Sequence, residues 1–299
     1  MQQGPDRGHE EHAEAPALLQ AAHDASQAPC TPGNGTTASD DVLKPVADRR
    51  SYRFMRVGGP NGSRFLLVSD PDAVFAAVCT NMQAGYFDDP PDVPGFAHWL
   101  EHAVHLGSGR YPDDKDYKYF LAQHGGTSNA STGMVHTSYH CTVAAEALPG
   151  ALDRLGRFFV DPLLGREAIL REAENVHAEF SRNCNSDARK LLQLRRSAAG
   201  GLLGKFSTGN IATLRDRPAA AGADVPAALA AFWRRRYLAG ALAGAVVAPQ
   251  PLEQLAEWVA AAFGEVRLRP GDGGGGAGGG AQEAAPATAA RRAAPPRRR

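Results

Sequence analysis

The chain has 299 residues, 43% of them hydrophobic and 21% charged, which is enough for one large or two small globular domains. Its 32 basic side chains balance its 32 acidic ones, so no overall positive field favours nucleic acid or an anionic membrane as a partner. No apolar stretch approaches the length of a membrane span.

Cysteine usage and the N-terminal segment bear on the compartment. The four cysteines lie far apart without a C-x-x-C pair: Cys30, Cys79, Cys141 and Cys184. This distribution fits a reducing compartment and a metal site that uses no thiolate. The N-terminal segment has no apolar signal core and is too acidic for an ordinary transit peptide. We therefore expect a cytoplasmic protein.

The composition divides the chain into three parts. Residues 1–41 contain no aromatic side chain and are predicted to be a disordered N-terminal tail. Residues 42–268 carry strand and helix patterns in one continuous series, which predicts a single α+β domain without internal repeats. Residues 269–299 are a Gly-, Ala- and Arg-rich low-complexity tail.

Apolar periodicity predicts the elements of that domain. The predicted strands are Tyr52–Val57, Ser63–Ser69, Asp72–Thr80, His136–Val143 and Ala241–Val247. The predicted helices are Pro94–Gly107, Asp113–Gln123, Glu146–Phe159, Gly165–Leu194, Val225–Tyr237 and Leu252–Phe263. The stretch Thr127–Gly133 is small and polar, and its residues alone leave open whether it is a loop or a strand.

The helix predicted over Pro94–Gly107 carries the most informative motif. His98, Glu101 and His102 lie at positions i, i+3 and i+4 and therefore share one face. Apolar residues fill much of the remaining circumference, so the helix should be buried. Burial of two imidazoles and a carboxylate is costly unless they are satisfied together, as a divalent metal does. Zn²⁺ suits the two imidazoles, and Glu101 beside them could take a proton from a metal-bound water.

Two questions remain open from these residues alone. A motif of three specified residues also arises by chance, so a buried helix with hydrogen-bonded histidines and no metal is the alternative. A zinc site with two histidines also needs at least one more protein ligand. Periodicity does not select that ligand among the remaining acidic residues.

A series of short stretches answers the second question through resemblance. They are Ser69–Pro71, Asp89–Pro91, His98–His102, Leu106–Ser108, Tyr111–Pro112, Ser128–Ala130, His136–Tyr139, Gly150–Arg154, Arg171–Glu172, Glu179 and Phe206–Asn210. In this order they resemble the N-terminal catalytic domain of the pitrilysin family, the inverzincins, and most closely its insulysin/nardilysin branch. The fold that this resemblance implies is a mostly antiparallel sheet packed by helices.

The resemblance implies roles for five residues. His98, His102 and Glu179 correspond to the family's zinc ligands, because the third ligand follows the second histidine by 77 residues in the family and here. Glu101 corresponds to the general base. Glu172 matches a further family glutamate, seven residues before Glu179 on the same helical face, where it can support the ligands.

The resemblance also covers substrate binding. Asn129 and Ala130 match the edge strand on which the family pairs extended peptide substrates, and their small, polar surroundings suit an open edge. His105 departs from the family, which usually has an apolar or aromatic residue there. Its role is left open between a spare ligand, a buried packing residue and a source of altered pH dependence.

The function implied is that of a zinc metalloendopeptidase domain, which hydrolyses extended peptides through a zinc-bound water activated by Glu101. Active family members enclose substrate between two halves, so we expect this chain to be incomplete without a second half. A C-terminal-half subunit or a homodimer would supply it. The alternative is a catalytically inactive zinc-binding subunit or regulator of a related peptidase, and a metal-free structural domain is a third, weaker reading.

Overall fold

The computed structural model describes residues 36–271, which form a seven-stranded sheet and eight α-helices. The strands are β1 (Thr37–Ser39), β2 (Ser51–Val57), β3 (Ser63–Ser69), β4 (Phe75–Met82), β5 (Thr127–Thr132), β6 (Thr137–Ala144) and β7 (Leu242–Ala248). The helices are α1 (Phe96–Ala103), α2 (Asp116–Gln123), α3 (Leu148–Val160), α4 (Arg166–Asn183), α5 (Asp187–Ala199), α6 (Arg217–Ala220), α7 (Val225–Arg236) and α8 (Leu252–Phe263). A π-helical turn, Ala212–Asp216, leads into α6.

The sheet has the order β1-β2-β3-β7-β4-β6-β5. Only the β3–β7 pair is parallel, and the other neighbours are antiparallel. This confirms the predicted mixed domain with a mostly antiparallel sheet. Strand β6 shows which face is covered, because Tyr139, Cys141 and Val143 are buried while His140 and Thr142 are exposed. None of the helices between residues 36 and 271 is long and apolar enough to cross a membrane.

Strand pairing begins earlier than the predicted start of the domain. Thr37 lies opposite Arg56 and Ser39 opposite Phe54, so β1 falls inside the segment that the sequence assigned to the N-terminal tail. Most of the two predicted tails, residues 1–35 and 272–299, lies outside the described residues. The division of the chain at residues 41 and 268 therefore stays a prediction.

The long helix predicted over Gly165–Leu194 is wrong, because the structure has two helices there. Helix α4 ends at Asn183 and α5 begins at Asp187. Between them, Ser186 has extended backbone angles and its Oγ accepts a hydrogen bond from the Arg189 amide, at 3.4 Å. Serine is a favoured helix N-cap because its oxygen satisfies an amide that the helix leaves unpaired. A local cap therefore overrides the continuous helical pattern.

The stretch that the sequence left open, Thr127–Gly133, contains the strand β5. Asn129 lies opposite His140 and Ala130 opposite Tyr139 on β6. Small polar residues suit this position because β5 is the last strand of the sheet and one of its edges is unpaired within the described chain. The metal-motif helix α1 packs against β5, β6 and α4, which places the sheet edge beside the motif.

The helix layer is fixed on the sheet by α3 and α8. Phe65 of β3 and Phe159 of α3 both pack against Phe263 of α8, with ring centroids 4.7 and 6.0 Å apart. The two helices approach closely at Gly156, where a Cβ atom would lie 2.3 Å from the carbonyl oxygen of Ala262. Glycine is required there by packing, because its lack of a side chain lets the two backbones touch.

We predict that Gly156→Ala lowers the free energy of unfolding by about 1 to 3 kcal/mol, because the added methyl group forces α3 and α8 apart. Denaturant unfolding followed by circular dichroism measures this change. Gly165→Ala is the control, since its φ is −64° and no atom lies within 4 Å of the added Cβ. Equal destabilisation by the two variants would contradict the packing argument.

Candidate metal centre

Three side chains from two helices converge at one point. His98 and His102 lie one turn apart on α1, with ring centroids 4.9 Å apart. Glu179 reaches them from α4, and its Oε2 lies 3.4 Å from Nε2 of His98 and 3.6 Å from Nε2 of His102. One ligand atom from each residue lies within 4.8 Å of the others. Either a metal cation bound by all three side chains or protons shared among them would stabilise a carboxylate placed this close to two imidazoles.

The far side of each imidazole is also held. Nδ1 of His98 lies 2.7 Å from the carbonyl oxygen of Thr208, which can only accept a hydrogen bond. Nδ1 of His102 lies 2.8 Å from Oε1 of Glu172, whose other oxygen accepts from Asn175 at 2.8 Å. With both Nδ1 atoms donating, Nε2 of each ring faces Glu179, and loss of its proton would leave a lone pair there for a metal ion. Hydrogen bonds of this kind orient histidines that bind metals.

The donor set fits a divalent metal. Two imidazole nitrogens and one carboxylate match the protein ligands of many catalytic zinc sites, which keep a further position open. Of the five site residues that the sequence singled out on α1 and α4, the structure brings His98, His102 and Glu179 together as donors. Glu172 lies behind His102, and Glu101 lies beside the donors.

Glu101 occupies a different environment from Glu179. Its side chain is only 6% exposed, and this burial raises the pKa of the carboxyl group above its usual value. The hydroxyl of Thr132, at the end of β5, donates a hydrogen bond to Oε2. Thr132 is also in contact with Thr137, whose hydroxyl donates to the carbonyl of Ala84 at 2.8 Å. A carboxylate with a raised pKa that is held next to a metal centre is suited to general-base chemistry.

The imidazoles and carboxylates share protons in the metal-free chain. Burial opposes a charge on His102, but its hydrogen bonds with Glu172 and Glu179 outweigh burial and raise its pKa to about 9. The same contacts, from His102 and then His98, hold the pKa of Glu179 well below its usual range. Protons on the imidazoles therefore balance the carboxylates where a metal would otherwise do so.

His105 is a packing residue in this arrangement and does not belong to the donor set. Its Nδ1 lies 2.8 Å from the carbonyl oxygen of Glu101, one turn earlier in the chain. Its ring packs on Phe158, with centroids 4.5 Å apart, and on Tyr139 at 5.8 Å. Burial lowers the pKa of His105 to about 4, so the ring is neutral at physiological pH. Of the three roles left open by the sequence, the contacts favour packing.

The predicted substrate-binding residues lie at the same cavity. A cavity of about 1380 Å³ contains the metal centre and is also lined by Asn129 and Ala130. Gly133 donates to the carbonyl of His136 at 2.8 Å, so in this antiparallel register the amide of Ala130, three residues earlier, points away from β6. It donates instead to Oδ1 of Asn129 at 2.9 Å. The open edge of β5 thus faces the cavity with a donor that another carbonyl can take.

Sequence reasoning gave no role to two residues that position the site. Thr132 holds Glu101 from β5, and Thr208 holds His98 from the loop before the π-helical turn. Thr208 acts through its backbone carbonyl, which no side-chain pattern reveals. Thr132 lies 31 positions from Glu101, and only the folding of β5 against α1 brings the two together.

Comparison with known proteins adds to the geometry. Residues 64–202 match the family described as Insulinase (Peptidase family M16). The insulin-degrading enzyme of Mus musculus is 37% identical over 229 residues, which are 76% of this chain and 22% of that protein. The A-factor-processing enzyme of Saccharomyces cerevisiae is 37% identical over 235 residues, or 78% of this chain and 23% of that protein.

A solved structure is also similar. The crystal structure of pitrilysin superposes with a TM-score of 0.74 at 33% identity, and the match covers 81% of this chain and 26% of that chain. The described fold is therefore shared over most of its length. The chain spans less than a quarter of the length of the two curated relatives above.

We predict a specific pH dependence for the metal-free chain in chelator. The pKa of His102 is raised from 6.5 to about 9 on folding, so its contribution is complete below pH 6.5 and is lost as pH rises through about 9. The free energy of unfolding should fall by about 1 to 3 kcal/mol over that interval. Denaturant titrations at several pH values measure the slope.

Two variants test the origin of that slope. Glu179→Gln removes a carboxylate that stabilises the charged imidazole, so the fall should become shallower. Glu174→Gln lies on the same helix but pairs with Arg215 at the surface, at 2.6 Å, and should leave the slope unchanged. A slope that is equally steep in Glu179→Gln would mean that His102 is not coupled to Glu179.

Proposed function

Because this chain carries an insulinase domain and so belongs to peptidase family M16, we propose that it is the catalytic domain of a zinc metalloendopeptidase. The observation that supports this most directly is the convergence of His98, His102 and Glu179 beside the buried Glu101. All four face a cavity that is bordered by an open strand edge. A metal centre, a base and a peptide-binding edge are the parts that hydrolysis of an extended peptide needs.

His98, His102 and Glu179 would hold Zn²⁺, with Glu172 and the carbonyl of Thr208 fixing the two imidazoles. When bound, Zn²⁺ supplies a Lewis acid that makes a water more acidic and stabilises negative charge on the scissile carbonyl oxygen. Glu179 projects from α4 toward the two imidazoles and would be the third ligand. Glu101 lies beside these three residues, but it would not bind the metal, so its carboxylate stays free to take a proton.

Glu101 moves the proton in this mechanism. Thr132 donates to Oε2, so Oε1 accepts a proton from the attacking water as the oxygen bonds to the scissile carbonyl carbon. The protonated Glu101 then gives the proton to the leaving amine as the carbon–nitrogen bond breaks. Burial raises the pKa of Glu101, which makes the carboxylate a better acceptor of the water proton and keeps its protonated form accessible for the second transfer.

The substrate backbone would pair with β5. Strand addition to an open edge uses main-chain hydrogen bonds, so it fixes an extended peptide without requiring a particular sequence. Asn129 and Ala130 lie at the middle of this edge, two to three residues before Thr132. A peptide that extends along them passes Glu101, because Thr132 joins the end of the strand to that carboxylate.

Turnover would also require a second protein surface over the cavity. On α5, Leu191 is 58% and Leu194 67% exposed, and the following turn exposes Leu202 and Leu203. Apolar side chains exposed together on one segment are typical of an interaction surface. A C-terminal-half subunit or a second copy of the chain would cover them. Zinc binding without turnover, even beside such a partner, would favour the inactive regulator.

We predict that the purified chain binds about one Zn²⁺ with micromolar or better affinity. Glu179→Gln should weaken binding by more than about 100-fold and Glu172→Gln by about 10- to 100-fold, because the second acts only through His102. Competition with a zinc-sensitive dye measures each affinity.

Two controls accompany the zinc titration. Glu174→Gln carries the same isosteric change on an outward face of α4, and His105→Phe replaces a packing ring. Both should bind zinc like the unmodified chain. Loss of zinc from His105→Phe would show that the ligands are wrongly assigned.

The role of Glu101 has its own test. Glu101→Gln keeps the shape of the side chain and removes the proton acceptor, so zinc affinity should persist while peptide cleavage falls by at least about 100-fold. A quenched fluorescent peptide reports cleavage by the full chain, alone and with the C-terminal half of a related enzyme. Undiminished cleavage by the variant would refute the base assignment.

A further inference from the structure

The walls of the cavity are more positive than the chain as a whole. Apart from the three glutamates of the metal centre, five cations and a single carboxylate line it: Lys115, Lys118, Arg189, Lys190, Arg196 and Asp114. The whole sequence, by contrast, has equal numbers of acidic and basic side chains. The cations come from the start of α2 and from α5, two elements that border the cavity containing the metal centre.

Two of these cations have partners within the protein. Lys190 pairs with Asp187 at 3.0 Å. Arg196 lies over the ring of Tyr86, 5.0 Å from its centroid, and donates to Oγ of Ser207 at 2.8 Å. Their charges are therefore already engaged, and they have structural roles.

The other three cations have no such partner. Within residues 36–271, no acidic side chain lies within salt-bridge distance of Lys115, Lys118 or Arg189. All three are exposed. Lys115 and Lys118 are three residues apart and share a face of α2. Lys118 does act on one group of the site, because its charge helps to lower the pKa of Glu172. No ion pair of the described residues, however, accounts for the three charges on the cavity wall.

Helix stability does not explain these cations either. Lys115 is the N-cap of α2, Lys118 lies in its first turn, and Arg189 lies in the first turn of α5. The N-terminus of a helix carries partial positive charge, so a cation there costs stability instead of adding to it. Three unpaired cations in unfavourable positions on one cavity are better explained by a negatively charged ligand.

We propose that this cavity selects peptides with acidic side chains close to the scissile bond. The inference rests on the proposed function, since it assigns the substrate class of the same site. A peptide paired with β5 runs past the metal centre with its side chains between α2 and α5. Glu or Asp side chains there meet Lys118 and Lys115 on one side and Arg189 on the other.

The preference should be moderate and sensitive to salt. Each exposed ion pair contributes little, because water and salt screen it. Three cations acting on two acidic side chains should give about three- to tenfold tighter binding of an acidic peptide than of its neutral counterpart. Such exposed charges act mainly through long-range attraction, so the preference should shrink at high ionic strength.

The test measures binding, and it does not depend on turnover. Two fluorescently labelled peptides differ only in Glu or Gln at the positions flanking one scissile bond. Their affinity for the zinc-loaded full chain with Glu101→Gln is measured by anisotropy, at about 0.05 M and about 0.5 M salt. The Glu peptide should bind about three- to tenfold more tightly at low salt, and the difference should largely vanish at high salt.

Charge reversal locates the preference. Lys118→Glu and Arg189→Glu should each abolish it or invert it in favour of the Gln peptide. Lys44→Glu makes the same change in net charge outside the cavity lining and should preserve it. Circular dichroism shows whether each variant remains folded, and zinc affinity shows whether its metal centre is intact.

Each outcome decides the proposal. Equal binding of the two peptides, a preference that persists in both cavity variants, or no binding of either peptide would overturn it. A preference that follows Lys118 and Arg189 supports it even if the unmodified chain cleaves neither peptide. That last result would count against the proposed peptidase activity alone, so the two proposals can fail separately.

Discussion

The geometry of the candidate site depends on hydrogen bonds made behind two half-buried imidazoles. The carbonyl of Thr208 and the carboxylate of Glu172 occupy the Nδ1 atoms of His98 and His102, so both Nε2 atoms turn toward Glu179. Without them each ring would be free to rotate or to change tautomer, and the donors would not converge. The candidate metal centre therefore depends on the loop before the π-helical turn and on α4 as much as on α1.

The loop that carries Thr208 is itself tied to the start of α1. Gly95 adopts a φ of +91° and leaves room for Gly209, whose Cα would lie 2.3 Å from any Cβ at position 95. Asp89 is buried and accepts hydrogen bonds from the amides of Gly95 and Ala97, each at 2.7 Å, so it caps the helix from outside. Lys205 donates to the carbonyl of Asp89 at 2.9 Å, which ties the loop to the same turn. One cluster of contacts therefore sets both the start of the helix and the position of the carbonyl behind His98.

Much of this could be read from the sequence, for identifiable reasons. Helical spacing placed His98, Glu101 and His102 on one face, and apolar periodicity located most strands and helices, with Leu252–Phe263 matching α8 at both ends. The resemblance to the pitrilysin family, which the family match bears out, supplied Glu179. What the sequence could not supply came from tertiary contacts. The pairing of β5 and the backbone carbonyl of Thr208 depend on partners that no local pattern identifies, whereas the break at Ser186 is a local cap that the continuous helical pattern concealed.

The two glutamates nearest the histidines show why one residue type can serve two roles here. Contacts with His102 and His98 hold the pKa of Glu179 well below its usual range, so it stays ionised as a ligand must. Burial raises the pKa of Glu101, which makes that carboxylate a better proton acceptor. The difference arises from position: Glu179 projects from α4 between the imidazoles, whereas Glu101 lies on α1 against Thr132. Exchanging their surroundings would exchange these pKa shifts, so the roles proposed for the two glutamates, ligand and base, rest on position and not on residue type.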